Sequence, residues 1–285
     1  MNPKYPVFVP TKGRYQKLYT IAAFERLGIP YTAVIEKQEY EQYSAVIDKS
    51  KLLVLPHQNK GLTVTRNWIW DYAQHELKMP YFWTFDDNIR EFYRLTGNIK
   101  YRVDSGTFLR VIEDFVERYE NLYITGMAYE MFAPRKKKHP PLILNTRVYS
   151  NMFIKADIPY RNETFYNDDT DLCLRILKDG HCTCQFVAFL ADKIATMQIK
   201  GGMTDYYEKT NKRKEFAEEL FRVHPDVTRI VWKFSRWHHE VDYSPFRKNK
   251  LRLKEGVTIP EGVNNYGMVL VKRDVPKIHE GVSDG

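Results

Sequence analysis

The segment from Tyr5 to Pro56 alternates between two hydrophobic periods, and that alternation limits the folds open to the chain. Tyr5 to Val9 is a short apolar run closed by Pro10-Thr11-Lys12-Gly13-Arg14. Gln16 to Leu27 places Leu18, Ile21, Ala22, Phe24 and Leu27 at helical spacing, and Gly28-Ile29-Pro30 follows, where glycine and proline end helices. Tyr31 to Ile35 reads as a second strand ending at Glu36. Glu39 to Asp48 reads as a short helix and Leu52 to Pro56 as a third strand. A strand-helix-strand-helix-strand series argues for a parallel sheet. In an open sheet of that kind, ligands bind beyond the carboxyl ends of the strands.

The most distinctive strand comes next. Tyr81-Phe82-Trp83-Thr84-Phe85 stops at Asp86-Asp87-Asn88. The aromatic run reads as a buried strand. An unpaired buried carboxylate is costly, so Asp86 and Asp87 belong where the strand leaves the core. Taken alone, the three polar residues form an acidic turn. At a strand end, they also suit a divalent cation that holds a diphosphate.

Four further pieces surround this one in order. Pro10 to Arg14 offers Gly13 for close backbone approach and Arg14 for a phosphate. Glu36 ends the second strand, placed to accept hydrogen bonds from a base or ribose. Gly61 precedes Arg66 and Asn67 where a helix running to about Leu77 begins, and helix starts favour anions. Asp168-Asp169-Thr170-Asp171 precedes a helix from about Leu172 to Lys178. Each piece also has a plain reading as a turn, a surface carboxylate or a helix cap.

The order and spacing of the five pieces resemble the GT-A glycosyltransferases over roughly the first two hundred residues. Within that fold, Val7-Phe8-Val9-Pro10-Thr11-Lys12-Gly13-Arg14, Phe85-Asp86-Asp87-Asn88, Asp168-Asp169-Thr170-Asp171 and Trp237-His238-His239 are most similar to the TET-associated glycosyltransferases of bacteriophages. The resemblance implies an α/β fold: a Rossmann-like, nucleotide-sugar-binding mixed sheet flanked by helices. The catalytic domain would span residues 1–204, with a basic, aromatic C-terminal extension at 205–285 packing on it and contacting DNA. It implies a UDP-sugar donor held by Pro10, Thr11, Gly13, Arg14, Glu36, Gly61, Arg66, Asn67 and Asp86. It also implies Mn²⁺ or Mg²⁺ on Asp87, Asp86 and Asn88, and Asp169 or Asp168 as general base, with inversion. The acceptor would be the hydroxyl of 5-hydroxymethylcytosine in phage DNA, modified in the cytoplasm of the infected bacterial host. Two departures stand out. Asn88 replaces a carboxylate, and after Phe189 come Asp192 and Lys193, with no histidine before His224.

Composition agrees with a polyanion partner, since the 285 residues carry a formal net charge of +8. Lys136, Lys137 and Lys138 form one basic loop; Arg247, Lys248, Lys250, Arg252 and Lys254 form a second basic stretch. Trp237, His238, His239 and Tyr243 could stack on a flipped or single-stranded base, although the simpler reading puts Trp232 and Trp237 in a small C-terminal core. Cys173, Cys182 and Cys184 are too few and too clustered for a disulfide framework. The chain shows no membrane span or signal peptide. Two other functions fit parts of the pattern: a GT-A enzyme acting on a glycan or protein, and a non-enzymatic nucleic-acid-binding protein. A glycoside hydrolase would leave Arg14 and Arg66 without a role.

Overall fold

The computed structural model describes residues 1–194, 212–233, 235–259 and 262. Gly201-Gly202-Met203, a loop candidate in the sequence, and Tyr206, where the sequence suggests a charged helix to Val223 begins, lie outside them. Residues Met1–Arg252 form one compact unit and Leu253–Gly285 another.

The opening alternation becomes β1 (Val7–Pro10), α1 (Tyr19–Leu27), β2 (Thr32–Glu36), α2 (Tyr40–Ser44) and β3 (Leu52–Leu55). Next come α3 (Leu62–Asp71), β4 (Tyr81–Phe85), β5 (Ile89–Thr96), β6 (Ile99–Arg102), α4 (Thr107–Val116) and β7 (Leu122–Tyr129). The core closes with β8 (Leu142–Leu144), β9 (Asn151–Lys155), α5 (Asp168–Lys178) and β10 (Cys182–Lys193). Ten strands form one sheet in the order β3-β2-β1-β4-β9-β7-β10-β5-β6, with β8 also paired to β10. Strands β1 to β4 are mutually parallel, and β9 runs antiparallel between β4 and β7. This is the mixed α/β sheet the sequence predicts.

The period-two pattern sorts the core into layers. Val7, Val9, Ala33, Ile35, Tyr81, Trp83 and Phe85 pack on one face against α1 and α4. Phe8, Val34 and Phe82 point the other way, against Ile69 and Trp70 of α3 and Leu172, Cys173 and Ile176 of α5. Alternation along each strand is what sends neighbours to opposite faces. The three cysteines are free and buried. Cys182 and Cys184 share the α1–α4 face, as their spacing requires.

One glycine is essential to the centre of this sheet. A Cβ on Gly126 of β7 would lie 2.1 Å from the Asn151 carbonyl oxygen of β9. The Asn151 side chain also accepts from the Met127 N–H at 2.5 Å, fixing β9 tightly to β7.

The described C-terminal residues add α6 (Lys212–Val223) and a hairpin of β11 (Thr228–Lys233) and β12 (Arg236–Val241). Leu220, Val227 and Phe246 bury against Leu174 and Leu177 on the outer side of α5. Trp232 does not fill this small core: it is 59% exposed, and it meets Trp237 edge-on at 5.1 Å. Trp237 is half-buried, with the Lys214 ammonium of α6 over its ring at 5.7 Å.

Asp171 anchors the same region and serves structure. Its Oδ1 lies 2.8 Å from His224 Nε2, and its Oδ2 accepts from Arg175 at 2.9 Å. Burial pushes the Asp171 carboxyl up, but His224 and Arg175 outweigh burial and hold it below 3.8, its ordinary value. Its contribution to stability is therefore complete above pH 3.8 and is lost as pH falls through the depressed value. Asp171→Asn should cost about 1.5–3 kcal/mol near neutrality, the worth of a charge-assisted bond. In urea melts, that difference from wild type should shrink toward pH 3.

Candidate active site

The expected strand ends converge. Thr11 follows β1 directly, Glu36 ends β2, and Asp86-Asp87-Asn88 follows β4. Helix α3 brings in Arg66 from one side, and the first turn of α5 brings Asp168 and Asp169 from beyond it.

Arg66 is the hub. Its side chain is only 6% exposed. One nitrogen donates to both Asp168 oxygens at 2.9 and 2.7 Å, and the other donates to Asp86 Oδ1 at 3.0 Å. Burial alone would favour the neutral form, but Asp168 and Asp86 reverse this and hold the guanidinium charged. Asp86 gains a second cation. Lys193, the last residue of β10, donates to its Oδ2 at 2.7 Å. Burial raises the Asp86 carboxyl, yet Lys193 and Arg66 together pull it well below the usual carboxylate range.

Asp87 has its own partners. Arg14 donates to its Oδ1 and the Thr11 hydroxyl donates to its Oδ2 at 2.8 Å. Burial still pushes this carboxyl up, and Asp86 adds to the push. Thr11 also lies 2.8 Å from the Tyr43 hydroxyl, so the turn after β1 is tied to both β4 and α2.

On the β2 side, Glu36 accepts from Lys12 at 2.9 Å on each oxygen and from the Asn59 N–H at 3.0 Å. Gly13, at φ +65°, turns its N–H to Glu39 Oε1 at 2.7 Å. The other Glu39 oxygen is buried without a hydrogen-bond partner, and burial raises this carboxyl. An orphaned acceptor beside Glu36 suits a ribose hydroxyl or a base N–H. Glu39 was absent from the sequence-derived set because only folding brings it to Gly13.

Two expected donor residues have structural partners here. Gly61 caps α3 at φ +90°, and a Cβ there would lie 3.2 Å from Phe165. Both ends of the Asn67 side chain are taken by Asn162, at 2.8 and 2.9 Å, which fixes α3 to the segment before α5.

The metal expectation meets an obstacle in the donor set. All four oxygens of Asp86 and Asp87 accept from Arg66, Lys193, Arg14 or Thr11. Asn88 donates from Nδ2 to the Ile194 carbonyl at 3.4 Å, and its Oδ1 is buried without a partner. Among the described residues, no three His, Cys, Asp or Glu side chains are placed to share an ion. Mn²⁺ or Mg²⁺ on Asp87, Asp86 and Asn88 does not fit the residues as they stand, because it would have to displace Lys193 or Arg14.

Asp169 differs from its neighbours. Among the described residues, it alone of Asp86, Asp87, Asp168 and Asp169 carries no ion pair, and it accepts a hydrogen bond from the Thr170 hydroxyl at 3.1 Å. Asp168, by contrast, is held by Arg66, though burial and the Asp169 charge still push its carboxyl up. The Asp169 charge also acts on Arg147, His239 and Tyr243. Those three line a cavity of about 230 Å³ with Thr146, Tyr149, Gln185 and Val241. The Arg147 guanidinium lies over the Tyr149 ring at 4.2 Å. Burial and then Arg147 lower His239 to about 4, so it is a neutral ring near pH 7. The Tyr243 hydroxyl is buried with no hydrogen-bond partner among the described residues.

A profile of the family described as TET-Associated Glycosyltransferase matches residues 5–202. The chain belongs to that family. No curated protein matches it. The match covers every strand of the large sheet and each of the five motif pieces, which fixes the protein as a glycosyltransferase. Its α6 and the β11–β12 hairpin lie beyond the matched span. Among the described residues, no helix of this glycosyltransferase is long and apolar enough to cross a membrane.

Proposed function

We propose that the protein transfers a sugar from a UDP-sugar to the hydroxymethyl oxygen of 5-hydroxymethylcytosine in DNA, with inversion. The donor lies over the ends of β1, β2 and β4. Pro10, Thr11, Gly13 and Glu36 shape the nucleoside cleft with Glu39. Arg14, Arg66 and the start of α3 at Gly61 face the diphosphate, and Asn67 and Asp86 hold that frame. Asp169 takes the proton from the acceptor hydroxyl. The freed oxygen attacks the anomeric carbon, and the carbon–oxygen bond to the diphosphate breaks with its electron pair leaving on UDP.

The observation that carries this reading is that Asp169, with no ion pair among the described residues, acts through its charge on Arg147, His239 and Tyr243, three side chains that line a cavity of aromatic and polar groups. Tyr149, His239 and Tyr243 offer ring faces and hydrogen-bonding tips, and Gln185 and Arg147 offer donors. This set suits a base turned out of its stack. Lys136, Lys137, Lys138, Arg247, Lys248 and Lys250 are exposed and supply cations for phosphates.

The test uses the full chain, a panel of UDP-sugars and DNA with or without 5-hydroxymethylcytosine, digested to nucleosides for mass spectrometry. The expected result is a sugar-sized mass gain on the modified cytosine alone. No gain with any common donor would remove the proposal. Labelling of a glycan or protein in parallel reactions would move the activity to that acceptor class.

A further inference from the structure

We propose that Lys193, flanked by Arg66 and Arg14, is the resident cation of this active site and meets the charge of the leaving diphosphate where a divalent metal ion would otherwise act. The proposal rests on the nucleotide-sugar reading of the donor cleft.

The placement of Lys193 is built into the fold. Its neighbour Ile194 donates its N–H to the Asn88 carbonyl at 3.0 Å, while the Asn88 amide donates to the Ile194 carbonyl at 3.4 Å. This two-way clamp joins the end of β10 to the Asp86-Asp87-Asn88 turn. The β10–β5 ladder shifts register between Asp192 and Lys193, where β5 carries Arg90 as an extra residue. Asp192 points to Arg90, at 3.1 and 2.9 Å, so strand alternation turns Lys193 the other way, onto Asp86. Its ammonium also donates to the Ser150 hydroxyl at 2.5 Å, and that hydroxyl lies 2.5 Å from the Tyr129 hydroxyl. Only 13% of the Lys193 side chain is exposed. Burial disfavours the charge, but Asp86 more than compensates and raises the group above its ordinary 10.5.

The amide of Asn88 is thereby accounted for. A carboxylate there could not donate to the Ile194 carbonyl, whereas an amide can. The residue that stands in place of a carboxylate in this turn is the residue that holds the lysine in place.

The chemistry needs no further reactant. As the bond from the anomeric carbon to the diphosphate breaks, its electron pair settles on a phosphate oxygen. Preorganised N–H donors in a poorly hydrated site stabilise such developing charge strongly. One ammonium and two guanidinium groups offer three positive charges, already held in position by Asp86, Asp87 and Asp168.

The experiment measures UDP binding by calorimetry and sugar transfer to 5-hydroxymethylcytosine DNA, each in EDTA and in Mn²⁺. Wild type should bind UDP and turn over in EDTA within about twofold of its values in Mn²⁺. Lys193→Ala should lose roughly 10²–10³-fold of transfer in EDTA. It should regain part of that loss with Mn²⁺, because Asp86 Oδ2 is then vacated for a metal. Lys193→Arg should keep chelator-resistant UDP binding, and thermal melts check that both variants are folded. UDP binding and transfer by wild type that collapse in EDTA and return with Mn²⁺ would overturn the proposal. So would a folded Lys193→Ala that matches wild type in EDTA. The two readings separate cleanly. If no DNA is labelled but UDP binds in EDTA and Lys193→Ala abolishes that binding, the acceptor assignment falls and the lysine assignment stands.

Discussion

Asp169→Asn should lower kcat for sugar transfer by roughly 10²–10⁴-fold, the usual worth of a positioned general base, while UDP binding stays within about twofold. The expectation follows from what the carboxylate does not touch. Asp169 bridges no cation in the donor site, so neutralising it leaves Arg66, Arg14 and Lys193 with their partners intact. Asp168→Asn is the matching control. It weakens a bidentate pair with Arg66, so its first effects should be lower stability and weaker donor binding, with a smaller change in kcat. Kinetics on donor and acceptor for both variants, with chemical denaturation alongside, distinguish the roles. If Asp168→Asn abolishes turnover with donor binding unchanged while Asp169→Asn stays active, the base is Asp168.

The two carboxylates were inseparable in the sequence because they are adjacent, and either can sit at a helix start. Their difference is a matter of helix geometry. Helix α5 begins at Asp168, four residues before Leu172, where its apolar periodicity starts. Successive residues on a helix lie about 100° apart, so Asp168 turns inward to Arg66 while Asp169 stays half-exposed. Asp171, one helical turn after Asp168, is drawn to His224, just past the end of α6. That partner is distant in sequence, and no periodicity announces it.

The sheet was far more legible. Short continuous apolar runs bounded by turn residues located β1 to β4, and the β5–β6 hairpin turns at Gly97-Asn98, where both residues adopt positive φ. The short β8 went unseen because three residues carry too little pattern. β10 continues past its apolar run, Phe186 to Leu190, as far as Lys193. Of the residues beyond that run, Asp192 pairs with Arg90 and Lys193 faces the site, so the hydrophobic pattern stops short of the strand end. Lys193 was passed over for a related reason: a metal site directs attention to histidines and carboxylates, and a lysine on a strand end looks like solvated surface. Arg147, Tyr149 and Gln185 form a cavity only once β9, β10 and the β11–β12 hairpin meet.

Arg66→Met should destabilise the fold by about 3–5 kcal/mol, the range for removing one partner of a buried ion pair. The methionine fills much of the space. The loss comes from the charges left behind: Asp86 keeps Lys193, but Asp168 loses both of its hydrogen bonds. The Asp168 carboxyl already lies above its ordinary value because burial outweighs Arg66, and removing the guanidinium should raise it further. A folded-state value raised this way means the native state binds the extra proton. Stability of Arg66→Met should therefore be greatest at low pH and fall as pH rises through that value, a slope opposite to that of a salt-bridged carboxylate. Urea midpoints across pH 4 to 8 measure it directly. Adding Asp168→Asn to Arg66→Met should recover roughly 1–3 kcal/mol and flatten the slope, since neighbouring groups in one network couple by that much. Transfer should stay lost in the double variant, because the guanidinium proposed to face the diphosphate is still missing. A neutral-pH loss under about 1 kcal/mol would mean that water reaches Asp168 freely, and Arg66 would then serve the donor without holding α3 and α5 together.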